Sequence, residues 1–315
     1  MSQAARSDVR GQRDVATVEP AVVDEALAGE KAVVSEPSAE AKSARVTVIK
    51  PVSGWPTLDV GELWHYRELL ARLVWRDITV RYKQTSIGVA WAVIQPLMTM
   101  IVFTFIFGRF AQAPSKGLHY QIFVYSALLP WTFFASSLSL SSGSLIANSA
   151  LLSKVYFPRV LLPLAGAVVP AVDFVLASSV LVGLMAWYHV GPGPALVLAP
   201  LFLFMAFVTA LGVGLFLSAV NVRFRDVPYA IPFVIQIWLF LSGVVYSFDA
   251  LPQRWQWVLA VNPMTAVING FQWGVVSTSA PALGQSAVSI ASAALFFMVG
   301  LWFFRRSEPR FADTI

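Results

Sequence analysis

Long apolar stretches separated by short polar segments dominate the chain from about residue 87 to residue 304. Each stretch has about the 20 residues that an α-helix needs to cross a bilayer. The pattern therefore predicts an all-α polytopic membrane protein with six transmembrane helices. The predicted spans are Ile87–Phe107, Tyr120–Ser141, Val160–Tyr188, Ala195–Val220, Tyr229–Phe248 and Ala287–Phe304. Between the last two lies Asp249–Ser286, whose shorter apolar clusters predict one or two external re-entrant or interfacial helices.

A different pattern precedes the first span. Over Glu62–Lys83 the apolar residues recur at helical spacing and the charged ones gather on the opposite side. The apolar set is Leu63, Tyr66, Leu70, Leu73 and Val74, and the polar set is His65, Glu68, Arg72 and Arg76. This predicts an N-terminal amphipathic interfacial helix that lies in the headgroup region. Asp77 and Arg81 interrupt the apolar stripe, so we expect the helix to bend or end near them.

These patterns divide the chain into four parts. Residues 1–57 are polar, without sustained apolar periodicity, and predict a mobile cytoplasmic tail. Residues 58–86 contain the amphipathic helix, residues 87–304 the six spans, and residues 305–315 a short cytoplasmic tail. No apolar segment follows the first residues closely, so no cleavable signal peptide is expected.

Composition agrees with a membrane location. The chain is 57% hydrophobic and only 12% charged, with a mean hydropathy of +0.69. Soluble domains usually carry about twice that charged fraction. There is no cysteine, which excludes disulfides and thiol catalysis.

Basic residues indicate the orientation. The net charge is +5, but the basic residues stand at the ends of spans, so they indicate topology rather than nucleic-acid binding. With both termini in the cytoplasm, the external side holds only Arg109, Lys116 and Arg254. The cytoplasmic side then holds Arg67, Arg72, Arg76, Arg81, Lys83, Lys154, Arg159, Arg223, Arg225, Arg305, Arg306 and Arg310. This asymmetry predicts that both termini are cytoplasmic, in a multi-pass protein of the inner membrane.

The sequence lacks the motifs of an enzyme. It has no GxxxxGK[ST] loop, so it does not bind ATP in that way. Asp249 stands almost alone in the external segments, without paired carboxylates or histidines at metal-ligand spacing. Transport is therefore a better class than glycosyl or phosphoryl transfer.

A cytoplasmic segment between the second and third spans reads SLIANSALLSKVYFPR, residues 144–159. Leu145, Leu152, Val155 and Tyr156 would share one side of a short helix that Phe157 and Pro158 terminate. Such a helix would either bind a partner's groove or pack on the chain's own span ends. The pattern alone leaves both alternatives open.

Asp173 lies near the centre of the third predicted span. A carboxylate there costs about 2.5–3.5 kcal/mol on insertion scales, so it must have a partner or face water. It would either order the bundle through a hydrogen bond between helices, which we favour, or line a channel.

Aromatic residues on the second and fifth spans could contact a glycan. Flat rings stack on the apolar faces of sugars and would let a long polymer slide. The candidates are Trp131, Phe134, Trp238, Phe240 and Tyr246. For each one alone, packing or a place in the interfacial aromatic belt is the alternative.

Four ordered motifs resemble a known family. They are LVWRDITVRYKQTSIGVAWAVIQPL at 73–97, KVYFPRVLLP at 154–163, NVRFRDV at 221–227 and NPMT at 262–265. In this order they resemble the permeases of type-2 ABC exporters of the O-antigen, teichoic-acid and capsule class. The resemblance extends from about Leu58 to Phe304 and leaves out the N-terminal tail.

The resemblance implies a homodimer bound to two copies of a separate ATPase, which would hold the ATP and Mg. No cofactor is expected in this chain. The segment between the second and third spans would couple to the ATPase through Leu145, Asn148, Leu151, Leu152, Lys154, Val155, Tyr156 and Phe157. The amphipathic helix would act as a gate that admits lipid-linked polysaccharide. Its candidate gate and phosphate-binding residues are Arg72, Arg76, Arg81, Tyr82 and Lys83, although the basic ones also serve topology. Export of a small hydrophobic compound or lipid is the alternative.

Overall fold

The computed structural model describes residues 60–83, 88–152 and 154–311. The predicted tail over residues 1–57 lies outside these ranges. Across the described residues the protein is helical and contains no strand. The first helices are α1 (Val60–His65), α2 (Arg67–Lys83), α3 (Ala90–Phe103), α4 (Tyr120–Ala147), α5 (Ser149–Leu152), α6 (Leu161–Val168) and α7 (Pro170–Trp187). They are followed by α8 (Ala199–Arg223), α9 (Val227–Leu241), α10 (Gln253–Ala260), α11 (Pro263–Val276) and α12 (Leu283–Ser307).

Among the described residues, five helical segments are long and apolar enough to cross a membrane. They are Ala90–Phe110, Tyr120–Ala147, Leu161–Trp187, Leu196–Arg223 and Leu283–Arg310. The first continues α3 through a π-helical turn, Thr104–Phe110. The third joins α6 to α7 at Val169, directly before Pro170. These five agree with the first four predicted spans and the sixth.

The predicted fifth span, Tyr229–Phe248, is wrong at its end. Helix α9 has 15 residues and stops at Leu241, so it is about 22 Å long against a hydrocarbon core of about 30 Å. Gly243 has a φ of 72°, in the left-handed region that ends a helix. Asn262 also donates a hydrogen bond from Nδ2 to the Leu241 carbonyl at 3.1 Å. The six-span count therefore stays a prediction.

Helix α4 is at the centre of the bundle. Most of its residues are buried, and it contacts α6, α7, α8 and α11. Side chains bond across these contacts: Ser137 Oγ donates to the Ala167 carbonyl at 2.8 Å. Helices α8 and α12 approach so closely at Gly212 and Gly300 that a Cβ at Gly300 would overlap the Gly212 carbonyl.

The bundle has two ends. The α2 end comprises α2 and residues 148–152, 154–160 and 305–311. The α11 end comprises residues 111–119, 188–198 and 242–282. An apolar cluster lies at the α2 end and includes Leu73, Leu145, Phe157 and Phe304. A larger cluster surrounds α4 and α11.

The predicted external segment contains two helices, α10 and α11. Helix α10 is largely exposed and buries only Ala260, whereas almost every residue of α11 is buried. With 14 residues, α11 is about 21 Å long, too short to cross a bilayer. Their re-entrant character stays a prediction.

The predicted C-terminal tail is not free over its described part. Helix α12 continues to Ser307, and a 3₁₀ turn, Glu308–Arg310, follows. Phe311 is then 3% exposed and packs against the Phe304 ring, with centroids 5.4 Å apart. Both rings belong to the apolar cluster of the α2 end, so the last described residue packs in the core.

Candidate functional site

The segment after α4 differs from the predicted helix over residues 144–156. Helix α4 itself continues to Ala147, and Asn148 follows as its C-cap. One further turn, Ser149–Leu152, is helical, and residues 154–158 are not. The prediction was wrong here because the first half of the pattern belongs to the end of α4. Lys154, Val155 and Tyr156 therefore lie in an irregular segment.

The side chains of this segment divide into exposed and buried groups. Val155 is 53% and Tyr156 67% exposed, while Phe157 is 4% and Leu145 0% exposed. Lys154 is exposed, and Leu151 and Leu152 are half-buried. Val155 and Tyr156 therefore form a small exposed apolar surface next to the buried side chains of Leu145 and Phe157.

Arg159 connects this segment to the 3₁₀ turn Glu308–Arg310 that follows α12. Its guanidinium donates to the Glu308 carbonyl and lies 5.9 Å from the centroid of the Phe311 ring. Arg305 forms an ion pair with Glu308 at 3.0 Å, within the same turn. Residues 154–159, which belong to the predicted coupling segment, are thus bonded through Arg159 directly to the end of α12.

Helix α2 packs beside the segment and bonds to it. We expected this helix to bend or end near Asp77 and Arg81; α2 continues past Asp77, and its last residue is Lys83, two positions after Arg81. Leu73, 5% exposed, contacts the apolar cluster of the α2 end. Arg76 donates from Nη2 to Asn148 Oδ1 at 2.7 Å and pairs with Asp77 at 2.7 Å. One side chain therefore joins the amphipathic helix to the cap of α4.

Asp173 has two partners, both on α2. Arg81 Nη2 lies 2.7 Å from Asp173 Oδ2, and the Tyr82 hydroxyl donates to Asp173 Oδ1. Burial of the phenol, with the hydrogen bond to Asp173 second, raises the pKa of Tyr82 to about 12. The carboxylate side chain is 17% exposed. Its contacts meet the requirement for a partner within an apolar span.

A cavity of about 570 Å³ lies between α2 and α4. Its polar lining includes Arg76, Asp77, Arg81, Ser144 and Asn148. The other three predicted gate and phosphate-binding residues do not line it: Arg72 and Lys83 are exposed on α2, and Tyr82 is half-buried. Over the described residues, no group of three or more His, Cys, Asp and Glu side chains could hold a metal ion.

The aromatic candidates separate into core and surface. Trp131 and Phe134 are 2% and 0% exposed. Trp238 packs edge-on to Phe134, with ring centroids 5.0 Å apart. Phe240 is 41% exposed, and its carbonyl accepts a hydrogen bond from the Tyr246 hydroxyl at 3.0 Å. Tyr246 lies beyond α9 rather than on a span, and burial raises its pKa.

The sequence interpretation missed two polar residues at the α11 end. Asn262 caps α11 by accepting from the Met264 amide at 3.0 Å, and it also accepts from Trp238 Nε1 at 2.8 Å. The Asn-Pro pair was a signal for this cap. Lys116 was used only as a topology signal, yet its side chain is 7% exposed. No pattern in the sequence indicates that burial.

Comparison with known proteins gives a family match. The ABC-2 type transporter family model matches residues 68–276. An O-antigen export system permease protein RfbA from Klebsiella pneumoniae is 28% identical over 251 residues, which are 79% of this chain and 95% of the relative. A protein of the same name from Myxococcus xanthus is 29% identical over 68% of this chain and 82% of the relative. The polysialic acid transport protein KpsM of Escherichia coli is 23% identical over 72% of this chain and 87% of the relative.

Proposed function

Because the chain belongs to the ABC-2 type transporter family, we propose that it is the permease subunit of an ATP-driven exporter of lipid-linked polysaccharide. It moves this substrate from the cytoplasmic to the outer face of the inner membrane. The observation that carries the substrate class is the likeness to O-antigen and polysialic acid transport proteins over most of this chain. It favours a polysaccharide over a small hydrophobic compound.

A separate ATPase supplies the energy, and two copies with their ATP and Mg bind two copies of this chain. The exposed Val155 and Tyr156 support a docking site in the coupling segment, beside the buried Phe157. The homodimer is supported by the apolar face of α9, which buries only Ile231 within the chain. The basic residues at the span ends support cytoplasmic termini.

Movement of the coupling segment passes to α2 through the bond between Arg76 and Asn148. Helix α2 then acts as a gate, held in this conformation by the contacts of Arg81 and Tyr82 with Asp173. A switch from 1:99 to 99:1 between two gate positions requires about 5.5 kcal/mol of differential stabilisation. ATP binding across the partner subunits is the source of that free energy.

The lipid phosphate enters beside α2. Arg76 and Arg81 line the 570 Å³ cavity and remain 44% and 39% exposed, so they can bind a phosphate without losing all water contact. Arg72 and Lys83 attract the headgroup from the surface of α2. Phe240 and Tyr246 are the glycan contacts that we retain. Trp131 and Phe134 are assigned to packing because they are buried in the core.

The test is co-purification with candidate ATPase subunits encoded by the same organism. We expect a stable complex with the native chain. Val155→Asp with Tyr156→Asp should abolish it, because charges would enter an apolar contact. Both side chains are more than half exposed, so the variant should fold.

Val261→Asp is a matched control, since Val261 is 55% exposed at the α11 end and lies outside the five candidate spans. It should leave the complex intact. Failure of the native chain to bind any ATPase would remove the energy source and contradict the proposal. Loss of binding in the control as well would refute the assignment of the coupling segment.

A further inference from the structure

A second cavity, of about 260 Å³, lies at the α11 end between the loop after α3, the helices α10 and α11, and the start of α12. It is separate from the gate and the coupling segment. Lys116 forms part of its wall in an unusual way: the backbone φ is 54°, in the left-handed region, while the side chain is 7% exposed. Gly117 follows with a φ of 78°. The loop holds a lysine inward at a conformational cost.

The lysine has two partners of different character. Its Nζ donates to Asn269 Oδ1 at 2.9 Å, and Asn269 is 9% exposed on α11. The Asp249 carboxylate lies 3.4 Å from Nζ and is 59% exposed. Burial lowers the pKa of Lys116, and Asp249 opposes that shift. One positive and one negative charge therefore offset each other at the cavity wall.

The remaining polar wall is neutral. It includes Gln256, Gln285, Thr265, Ser279, Ser286 and Ser289. Gln285 Nε2 donates to Gln256 Oε1 at 3.1 Å, which orders the two amides. The Ser286 hydroxyl is buried and has no hydrogen-bond partner in the described residues. A buried hydroxyl without a partner is costly, so a group that bonded to it would stabilise the site.

Size and charge select the ligand. The volume of about 260 Å³ is many times the roughly 10–15 Å³ that one water needs on the same measure, so the cavity has room for one sugar ring. An apolar ligand would leave amides and hydroxyls without partners. An anion would compete with Asp249 for Lys116. A neutral polyol can both donate and accept, and Phe248 adds an apolar residue to the wall beside its C–H groups.

We propose that this cavity is a saccharide subsite that binds one neutral pyranose residue of the exported glycan at the α11 end of the permease. The inference rests on the proposed function and adds a recognition point away from the gate. Ser286 contributes its free hydroxyl, and Gln285 contributes its remaining amide atoms. Lys116 positions Asn269 at the base of the site.

The experiment uses the purified full-length chain in detergent and titrates a panel of neutral methyl pyranosides by ligand-observed NMR. We expect saturable binding of at least one of them. Ser286→Ala should weaken that binding roughly two- to tenfold, the effect of one neutral hydrogen bond. Gln285→Leu should weaken it by a similar factor. Ser292→Ala is the matched control, because Ser292 lies on the same helix outside the cavity, and it should bind like the native chain.

Absence of saturable binding across the panel would overturn the subsite, as would equal affinities in Ser286→Ala and Ser292→Ala. Displacement of the sugar by inorganic phosphate would also overturn it, since the cavity would then be an anion site. The ATPase co-purification separates this result from the wider proposal. An intact complex without sugar binding refutes only the subsite, whereas loss of both refutes the exporter as well.

Discussion

At the α2 end the polar contacts join side chains that remain partly exposed: Arg76 is 44%, Arg81 39% and Asp173 17% exposed. At the α11 end the comparable polar side chains are almost fully buried, with Gln272 1% and Lys116 7% exposed. Exposed ion pairs contribute little to stability, whereas buried hydrogen bonds are costly to break. The α11 end is therefore suited to a rigid scaffold, and the α2 end to contacts that form and break during transport.

The largest effect should come from the turn at the α11 end. A Cβ at Gly193 would lie 2.5 Å from the Gly274 carbonyl oxygen and 2.6 Å from that of Trp273. Both obstacles are backbone, so Gly193→Ala should lower the free energy of unfolding by about 3 kcal/mol. Gly191→Ala is the matched control, because a Cβ there meets nothing within 4 Å. Thermal unfolding in detergent measures both, and equal losses would contradict the rigid scaffold.

A pair of asparagines compares the two ends directly. Asn262→Ala removes the α11 cap and the bonds to Trp238, Leu241 and Ser242, at an expected cost of about 2 kcal/mol. Asn148→Ala removes the exposed bond to Arg76 and the part-buried bond from Nδ2 to the Ser144 carbonyl, and should cost about 1 kcal/mol. Thermal unfolding in detergent measures the stability loss of both variants. A larger loss at Asn148 would reverse the assignment of the rigid and mobile ends.

The contact between α2 and α7 should be worth less than the α11 cap. A double-mutant cycle with Arg81→Gln and Asp173→Asn isolates the ion pair. Because Arg81 is 39% exposed, we expect a coupling free energy of about 0.5–1 kcal/mol. A cycle of Arg72→Gln with Asp173→Asn controls for the change in net charge and should give no coupling. Coupling well above 1 kcal/mol would indicate a permanent joint rather than a releasable gate contact.

The smallest effect is a pH dependence at Lys116. Burial lowers its pKa from 10.5, so the folded protein disfavours the ammonium while the unfolded chain does not. That penalty is fully present below the lowered pKa and fades as pH rises toward 10.5. The native chain should therefore gain stability over Lys116→Met in that window. Lys83→Met controls for an exposed lysine and should show no such gain. A falling difference would contradict the burial of a charged lysine.

Local sequence properties determined much of the fold. Hydropathy over about 20 residues depends only on neighbours along the chain. It located the five candidate spans, and most of the predicted span ends lie within a few residues of the observed ones. The amphipathic spacing located α2, and the two helices α10 and α11 lie in the predicted external segment. The four motifs led to the family that the comparison shows over residues 68–276. Each of these depends on composition and order alone.

Tertiary structure decided what depends on residues far apart in the chain. Hydropathy does not distinguish α4, which is central, from α9, which buries only Ile231, since both are apolar. The end of α9 is fixed by Asn262, and the partner of Asp173 is Arg81, 92 positions earlier. Asp173 needed a partner on energetic grounds, but only packing brought α2 to α7. Lys116 is likewise buried only because its loop packs against α11, where it bonds to Asn269. Periodicity along the chain does not predict contacts between segments so far apart in sequence.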